Sequence, residues 1–206
     1  GLGGLFILGL AVLTGLRQWK FFGIFFKQLW MDAGHFFINL RPPKDELGFH
    51  AVVLVIMLLA VIFRLEYINS SMHHDEAYTY VVFAHSLFSA VTDYHLPNNH
   101  VFHSILVYFS TRIFGIQPWA VRLPAFTAGV LLIPAMYWLA KSLYDRWTAL
   151  GAALLIAWVP TLIDYSTNAR GYTLVALFTL LTLTLGIMVR KQKNIFAWML
   201  ISLFSA

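Results

Sequence analysis

The chain has 206 residues, is 60% hydrophobic and only 11% charged, and has a mean hydropathy of +0.73. Soluble domains carry about 25% charged residues, so this composition excludes a soluble domain and predicts an all-α integral membrane protein, a polytopic helix bundle. With no cysteine there is neither a disulfide nor a thiolate metal site. The net charge of +5 is no sign of nucleic-acid binding, because basic residues in a membrane protein report which loops stay inside.

Gly1 to Leu16 is apolar and Gly-rich. It lacks a basic n-region and a small-residue cleavage site, so it reads as the remnant of an earlier span and not as a signal peptide. In residues 17–47, Arg17, Lys20, Lys27, Arg41 and Lys44 interleave with Phe21, Phe22, Phe25, Phe26, Leu29 and Trp30, the pattern of an interfacial helix. Arg41-Pro42-Pro43 ends any helix there. Residues 1–47 thus form an N-terminal apolar segment with a basic interfacial region. Residues 48–206 form the N-terminal part of a transmembrane module whose C-terminal part is missing, since Ala206 falls inside an apolar run.

The first span opens at Leu47 and, with Arg64 and Tyr67 as flanks, reaches the ~20 residues that a crossing needs. Further uncharged runs are Leu123–Ala140, Trp147–Ile163 and Gly171–Val189, and a last one begins at Asn194. Val101–Ile116 is apolar but short, and carries His103 and Arg112. If it lies along the surface, the basic loops 17–47, Lys141/Arg146 and Arg190–Lys193 share one side, as the positive-inside rule asks. Ten of the fourteen Lys and Arg residues are then cytoplasmic. The expected crossings are the opening span, 121–141, 147–164 and 171–189.

Residues 67–120 then form one large first external loop with two amphipathic surface helices. In the first, Ala77, Tyr80, Ala84, Leu87, Phe88 and Val91 recur at three- and four-residue steps. Pro97 closes the connection, and Asn98 or Asn99 caps the second. Arg64, Arg112, Arg122 and Arg170, the acidic Asp75, Glu76, Asp93 and Asp164, and six of the eight histidines fall on this side. The polar chemistry of the chain is gathered on one face.

The centre of that chemistry is His73-His74-Asp75-Glu76, at the mouth of the first span. Ionisable groups there are costly unless they bind something or react. Asp75 and Glu76 suit helix capping and a favourable first-turn charge, or a general base and its support. Adjacent helical residues do not face the same way, so one of the two reacts and the other supports it; Asp75 is taken as the base. Arg170, at the outer end of the third crossing, either anchors at headgroups or offers its fork of donors to a phosphate. Asp75, Glu76 and His73 are the candidate metal ligands. No H-x-x-x-H spacing accompanies them, and a divalent metal ion stays open as a cofactor. A transporter or proton-relay protein is the alternative reading, and a non-catalytic assembly subunit a third.

Asp75-Glu76-Ala77-Tyr78 after the first span resembles the acidic motif of C-type polytopic glycosyltransferases. Asn98-Asn99-His100-Val101, Phe114-Gly115, Trp119-Ala120-Val121-Arg122-Leu123-Pro124, Leu139–Tyr144 and Tyr165-Ser166 with Ala169-Arg170-Gly171-Tyr172 follow in order. Over residues 48–190 the series is similar to the protein O-mannosyltransferase-like and rhizobial lipopolysaccharide glycosyltransferase-like branch (family 39-like). The resemblance implies an inverting transfer of a sugar from a polyprenyl-phosphate-linked donor to an acceptor hydroxyl. It implies a lipid, glycan or protein acceptor and a site on the external or periplasmic face of the plasma (inner) membrane, in cell-envelope chemistry. By the match Asp75 is the catalytic carboxylate, supported by Glu76 and His74, and Arg170, His100, Asn99 and Tyr172 line the donor phosphate. Asn99-His100-Val101 stands where many members carry His-Pro-Pro. Gly171-Tyr172 stands where many carry a second acidic residue, which argues against a metal bridged by carboxylates of the two loops.

Overall fold

The computed structural model describes residues 2–41, 43–93, 95, 99–191 and 193–205; for residues 2–20 and 191 only the backbone is described. Pro97 and Asn98 lie outside the described residues. Among the described residues every regular element is a helix. Helix α1 spans Leu2–Asn39, a single helix where the sequence suggested a span remnant followed by a separate interfacial helix. It stops two residues before Arg41. Helix α2 spans Leu47–Ile68. Short helices α3 (His74–Tyr78) and α4 (Leu87–Thr92) flank a π-helical turn, Thr79–Ala84. Then come α5 (Val101–Phe114), α6 (Pro118–Leu143), α7 (Arg146–Trp158), α8 (Pro160–Ser166), α9 (Tyr172–Lys191) and α10 (Ile195–Ser205).

Among the described residues, three helical segments are long and apolar enough to cross a membrane: Lys44–Ile68, Pro118–Leu143 and Tyr172–Arg190. The expected third crossing is broken. Helices α7 and α8 meet at 60°, because Pro160 has no N–H to continue the ladder and its ring crowds the preceding turn. Arg64 repairs the break. Its Nη1 donates to the Ala157 carbonyl at 3.0 Å and its Nε to Ser166 Oγ at 2.9 Å. An arginine inside an apolar helix is thereby spent on backbone that the bend has freed.

Packing between the crossings depends on small residues. Ala149, Ala153 and Ala157 of α7 repeat every four positions and meet Val53, Ile56 and Ala60 of α2 and Ile133, Tyr137 and Ala140 of α6. Such a stripe lets backbones approach closely, which is how helices associate where lipid offers no hydrophobic gain. A second cluster joins Ala128, Leu132 and Ala135 of α6 to Leu174 and Leu177 of α9. Gly129 faces α8 so closely that a Cβ there would sit 2.3 Å from Ser166 Cβ.

The two ends of the bundle differ. At the basic end Lys141 pairs with Glu46 and Arg146 lies 3.9 Å from Asp45. There Asp32 of α1 is buried and its carboxylate accepts from the Ile195 backbone N–H at 2.7 Å, tying α1 to the start of α10. At the polar end the C-terminus of α2, helices α3 to α5 and the starts of α6 and α9 come together. Both ends of α5 contact this region: His100 packs on Tyr172, and Ser110 donates to the Ala120 carbonyl at 2.6 Å. Pro124 leaves that carbonyl without its usual helical donor. Helix α5 therefore lies across the end of the bundle instead of through it.

The first surface helix differs from the sequence expectation. It is broken at His85 and Ser86, where Ser86 accepts from the Ser89 backbone N–H as N-cap of α4. Its buried residues are Glu76, Thr79, Phe83, Ala84 and Ala90, whereas Leu87, Phe88 and Val91 are exposed. The apolar stripe read at three- and four-residue steps is split: Leu87, Phe88 and Val91 face outward, whereas Ala84 is buried with Tyr80 packed on its cluster. Asn99 is not the expected cap of α5, whose N-cap is His100.

Candidate active site

Asp75 and Glu76 sit in the first turn of α3 and point to different surroundings. Glu76 is fully buried. Its two oxygens receive Arg122 Nε and Nη2, both at 2.7 Å, the Ala169 backbone N–H at 2.8 Å and the His73 backbone N–H at 2.8 Å. Arg122 in turn donates to the carbonyls of Ile68, Ser70 and Ser71. One ion pair thus clasps the end of α2, the start of α3, the start of α6 and the turn before α9. Burial alone would raise the Glu76 pKa, but the Arg122 hydrogen bond, then the backbone N–H groups of His73 and Ala169, outweigh it and hold the carboxyl below its usual value.

Asp75 is 66% exposed, and its Oδ2 lies 3.1 Å from Arg170 Nη1. The contact is one of charge and not an aligned hydrogen bond: Nε and Nη1 of Arg170 have no hydrogen-bond partner among the described residues. Arg170 is 12% exposed, donates through Nη2 to the Tyr172 hydroxyl at 3.2 Å and lies over that ring at 5.5 Å. It is a guanidinium held in place with donors to spare. Tyr172 also packs on Tyr165, with ring centres 4.8 Å apart, and on His100, 5.2 Å apart.

His100 rests on the backbone of Gly171. A Cβ at that position would come within 2.8 Å of the His100 ring, so only glycine admits the imidazole there. Desolvation first, then the Arg170 charge, lowers the His100 pKa. The loop before it is stapled by Asn99, whose Nδ2 donates to the carbonyls of Ala90 and Asp93 and whose Oδ1 accepts from Ser104. Both ends of that amide are engaged, so Asn99 positions His100 and offers no spare donor to a phosphate. His74 is an exposed neighbour, 3.9 Å from Asp75 and stacked on Tyr78.

Below His100 opens an apolar cavity of about 590 Å³, walled by His100, His103 and Gly171 at the polar end and by Leu174, Phe178 and Phe204 farther in. In the sequence His103 is a polar interruption of a short apolar segment; its place one turn after His100 is the signal that links the two. Asp93, His95 and Tyr78 were also passed over as a set. His95 bonds the Asp93 carboxylate, and its Nε2 lies 3.0 Å from the Tyr78 hydroxyl.

The residues do not fit a divalent metal as the sequence framed it. Both Glu76 oxygens are taken by Arg122 and backbone N–H groups. Among the described residues no three His, Asp or Glu side chains are grouped to hold an ion.

An apolar helix bundle with an exposed carboxylate, a held arginine and an apolar cavity at one end defines an integral membrane protein with an enzyme-like polar site. A family model of the dolichyl-phosphate-mannose-protein mannosyltransferases matches residues 98–206, more than half of the chain. The chain belongs to that family, whose members are membrane glycosyltransferases using polyprenyl-phosphate-sugar donors in general. The matched stretch holds His100, Arg122, Arg170 and Tyr172 but begins after Asp75 and Glu76. The folded chain joins the two parts through Glu76–Arg122 and Asp75–Arg170. No match was found to a curated protein or to a solved structure.

Proposed function

We propose that this protein transfers a sugar, with inversion, from a polyprenyl-phosphate-linked donor to an acceptor hydroxyl. The reaction takes place on the external face of the plasma membrane, in the manner of the protein O-mannosyltransferase-like and rhizobial lipopolysaccharide glycosyltransferase-like branch that the motif series over residues 48–190 resembles. The observation that carries the reading is the meeting of Asp75 with Arg170, 3.1 Å apart, one residue from the Gly171 wall of an apolar cavity.

In this reading the acceptor oxygen attacks the anomeric carbon, and the bond from that carbon to the phosphate oxygen breaks. The phosphate departs on its lipid with the bonding electrons, and the acceptor proton passes to Asp75. The spare donors of Arg170 face the oxygens on which charge builds, with His100 and the Tyr172 hydroxyl beside them. The isoprenoid chain runs into the cavity between α5, α9 and α10. A single carboxylate suffices for one displacement. Glu76 has no part in the chemistry; it sets the turn on which Asp75 and Ala169 stand.

The Asp75→Asn variant tests the assignment. Inserted protein of normal yield should lose about 10²–10⁴-fold in transfer from a polyprenyl-phosphate sugar. Unchanged transfer ends the assignment. Sidedness is tested separately, on a background free of cysteine. A His74→Cys variant should react with a membrane-impermeant thiol reagent added outside intact cells. A Tyr144→Cys variant, exposed at the basic end, should react only after permeabilisation. The reverse pattern would invert the topology.

A further inference from the structure

His103 is 1% exposed, and neither of its ring nitrogens has a hydrogen-bond partner among the described residues. Buried polar groups in folded proteins are almost always paired, so an imidazole left this way needs a reason. Its surroundings supply one. His103 follows His100 by one helical turn, on the same face of α5, and both line the cavity. The cavity wall is otherwise apolar: Leu174, Val175, Phe178, Leu203 and Phe204. A water there would find few of the polar partners it needs.

The ring is also in a defined charge state. Desolvation first, then the His100 and Arg170 charges, hold its pKa down to about 3. At neutral pH it therefore carries one N–H donor and one acceptor nitrogen. A neutral donor within the field of the Arg170 charge suits an anion whose charge the guanidinium already balances.

Building on the donor assignment above, we propose that His103 is a donor-binding residue whose ring N–H is reserved for a phosphate oxygen of the polyprenyl-phosphate sugar, with the isoprenoid chain filling the cavity behind it. The orphaned nitrogen is then the unliganded half of a hydrogen bond. His103 marks the depth at which the polar head ends and the lipid begins.

The test uses the whole membrane-inserted protein with two probes, polyprenyl phosphate and the uncharged polyprenol of the same length. His103→Leu should weaken polyprenyl phosphate binding about 10-fold, the usual scale of one hydrogen bond to a charged group. Polyprenol binding should not change, and His103→Gln should recover part of the loss. The unliganded His103→Leu protein should melt no earlier than wild type, because it exchanges an unpaired polar group for an apolar one. Wild-type binding of polyprenyl phosphate with His103→Leu unaffected would overturn this role alone. Wild-type protein that binds neither probe would overturn the donor assignment and this role with it. Should the leucine variant fail to fold, ¹⁵N-histidine spectra of wild type decide the matter: polyprenyl phosphate, and not polyprenol, should shift the His103 ring nitrogens, and no shift overturns the proposal.

Discussion

Two carboxylate–arginine pairs stand side by side at the polar end, and they have opposite characters. The Glu76–Arg122 pair has no exposed side-chain surface, and both oxygens of its carboxylate are filled. The Asp75–Arg170 pair has a carboxylate 66% exposed and a guanidinium with unused donors. Adjacent residues on a helix point about 100° apart, so a single turn sends Glu76 into the bundle and Asp75 to its rim. The saturated pair is architecture, because nothing is left on it to bind a substrate. The open pair is the one that chemistry can use.

The largest expected effect falls on the saturated pair. Glu76→Ala leaves Arg122 buried without its counter-charge, which costs about 3–5 kcal/mol. The detergent-solubilised variant should melt far below wild type or fail to accumulate. A variant of normal stability that had merely lost activity would move Glu76 to the open side of the comparison.

Acid should act in the same order of burial. Glu76 has a folded pKa below its usual 4.5. Its stabilisation is therefore fully present above pH 4.5 and is lost as pH falls through the lowered value. His103 falls from 6.5 to about 3 on folding and His100 also falls. The unfolded chain binds their protons first, so stability declines as pH drops below 6.5. Melting measured against pH should slope downward from 6.5 and steepen below 4.5. The His103→Leu variant should lose part of the upper slope, and a flat profile through both windows would contradict the burial of these groups.

A smaller effect is expected at Gly129, where α6 presses on α8 below the clasp. Gly129→Ala puts a Cβ at 2.3 Å from Ser166 Cβ and should cost about 1–3 kcal/mol by overpacking, read as a lowered melting temperature. The smallest effect belongs to the open pair. Asp75→Asn removes an exposed charge contact and should change stability by less than about 1 kcal/mol, although transfer collapses. That split between stability and activity is the sharpest form of the contrast with Glu76.

Much of the architecture was legible from hydropathy. The apolar run opening at Leu47 became α2, the run before Ala140 became α6, and the run after Gly171 became α9. The short segment at Val101 was recognised as a helix lying across the end, because the basic residues made sense only that way. Two features were misjudged locally. The run Trp147–Ile163 was expected to cross as one span, yet it bends by 60° at Pro160, where Arg64 bonds the freed Ala157 carbonyl. The stripe from Ala77 to Val91 was read as one helix, yet it is interrupted, and its later apolar residues, Leu87, Phe88 and Val91, face away from the bundle while Ala84 is buried in it. Periodicity shows that a segment has two faces but not which one the rest of the chain will cover. The same limit hid Asn99, whose amide fastens two loop segments together.

By itself the sequence determined that this is a membrane helix bundle, where its apolar runs lie, and that six of its eight histidines fall between the first and second of them. Those properties are sums over neighbouring residues, and composition and helical period carry them. Only the tertiary structure decided which of two adjacent carboxylates is sealed and which is open, that Arg170 reaches Asp75, and that His103 is left with an unused donor. Glu76 meets Arg122 across 46 positions and Ala169 across 93. Contacts at that separation depend on how the helices settle against one another, which local preference does not encode.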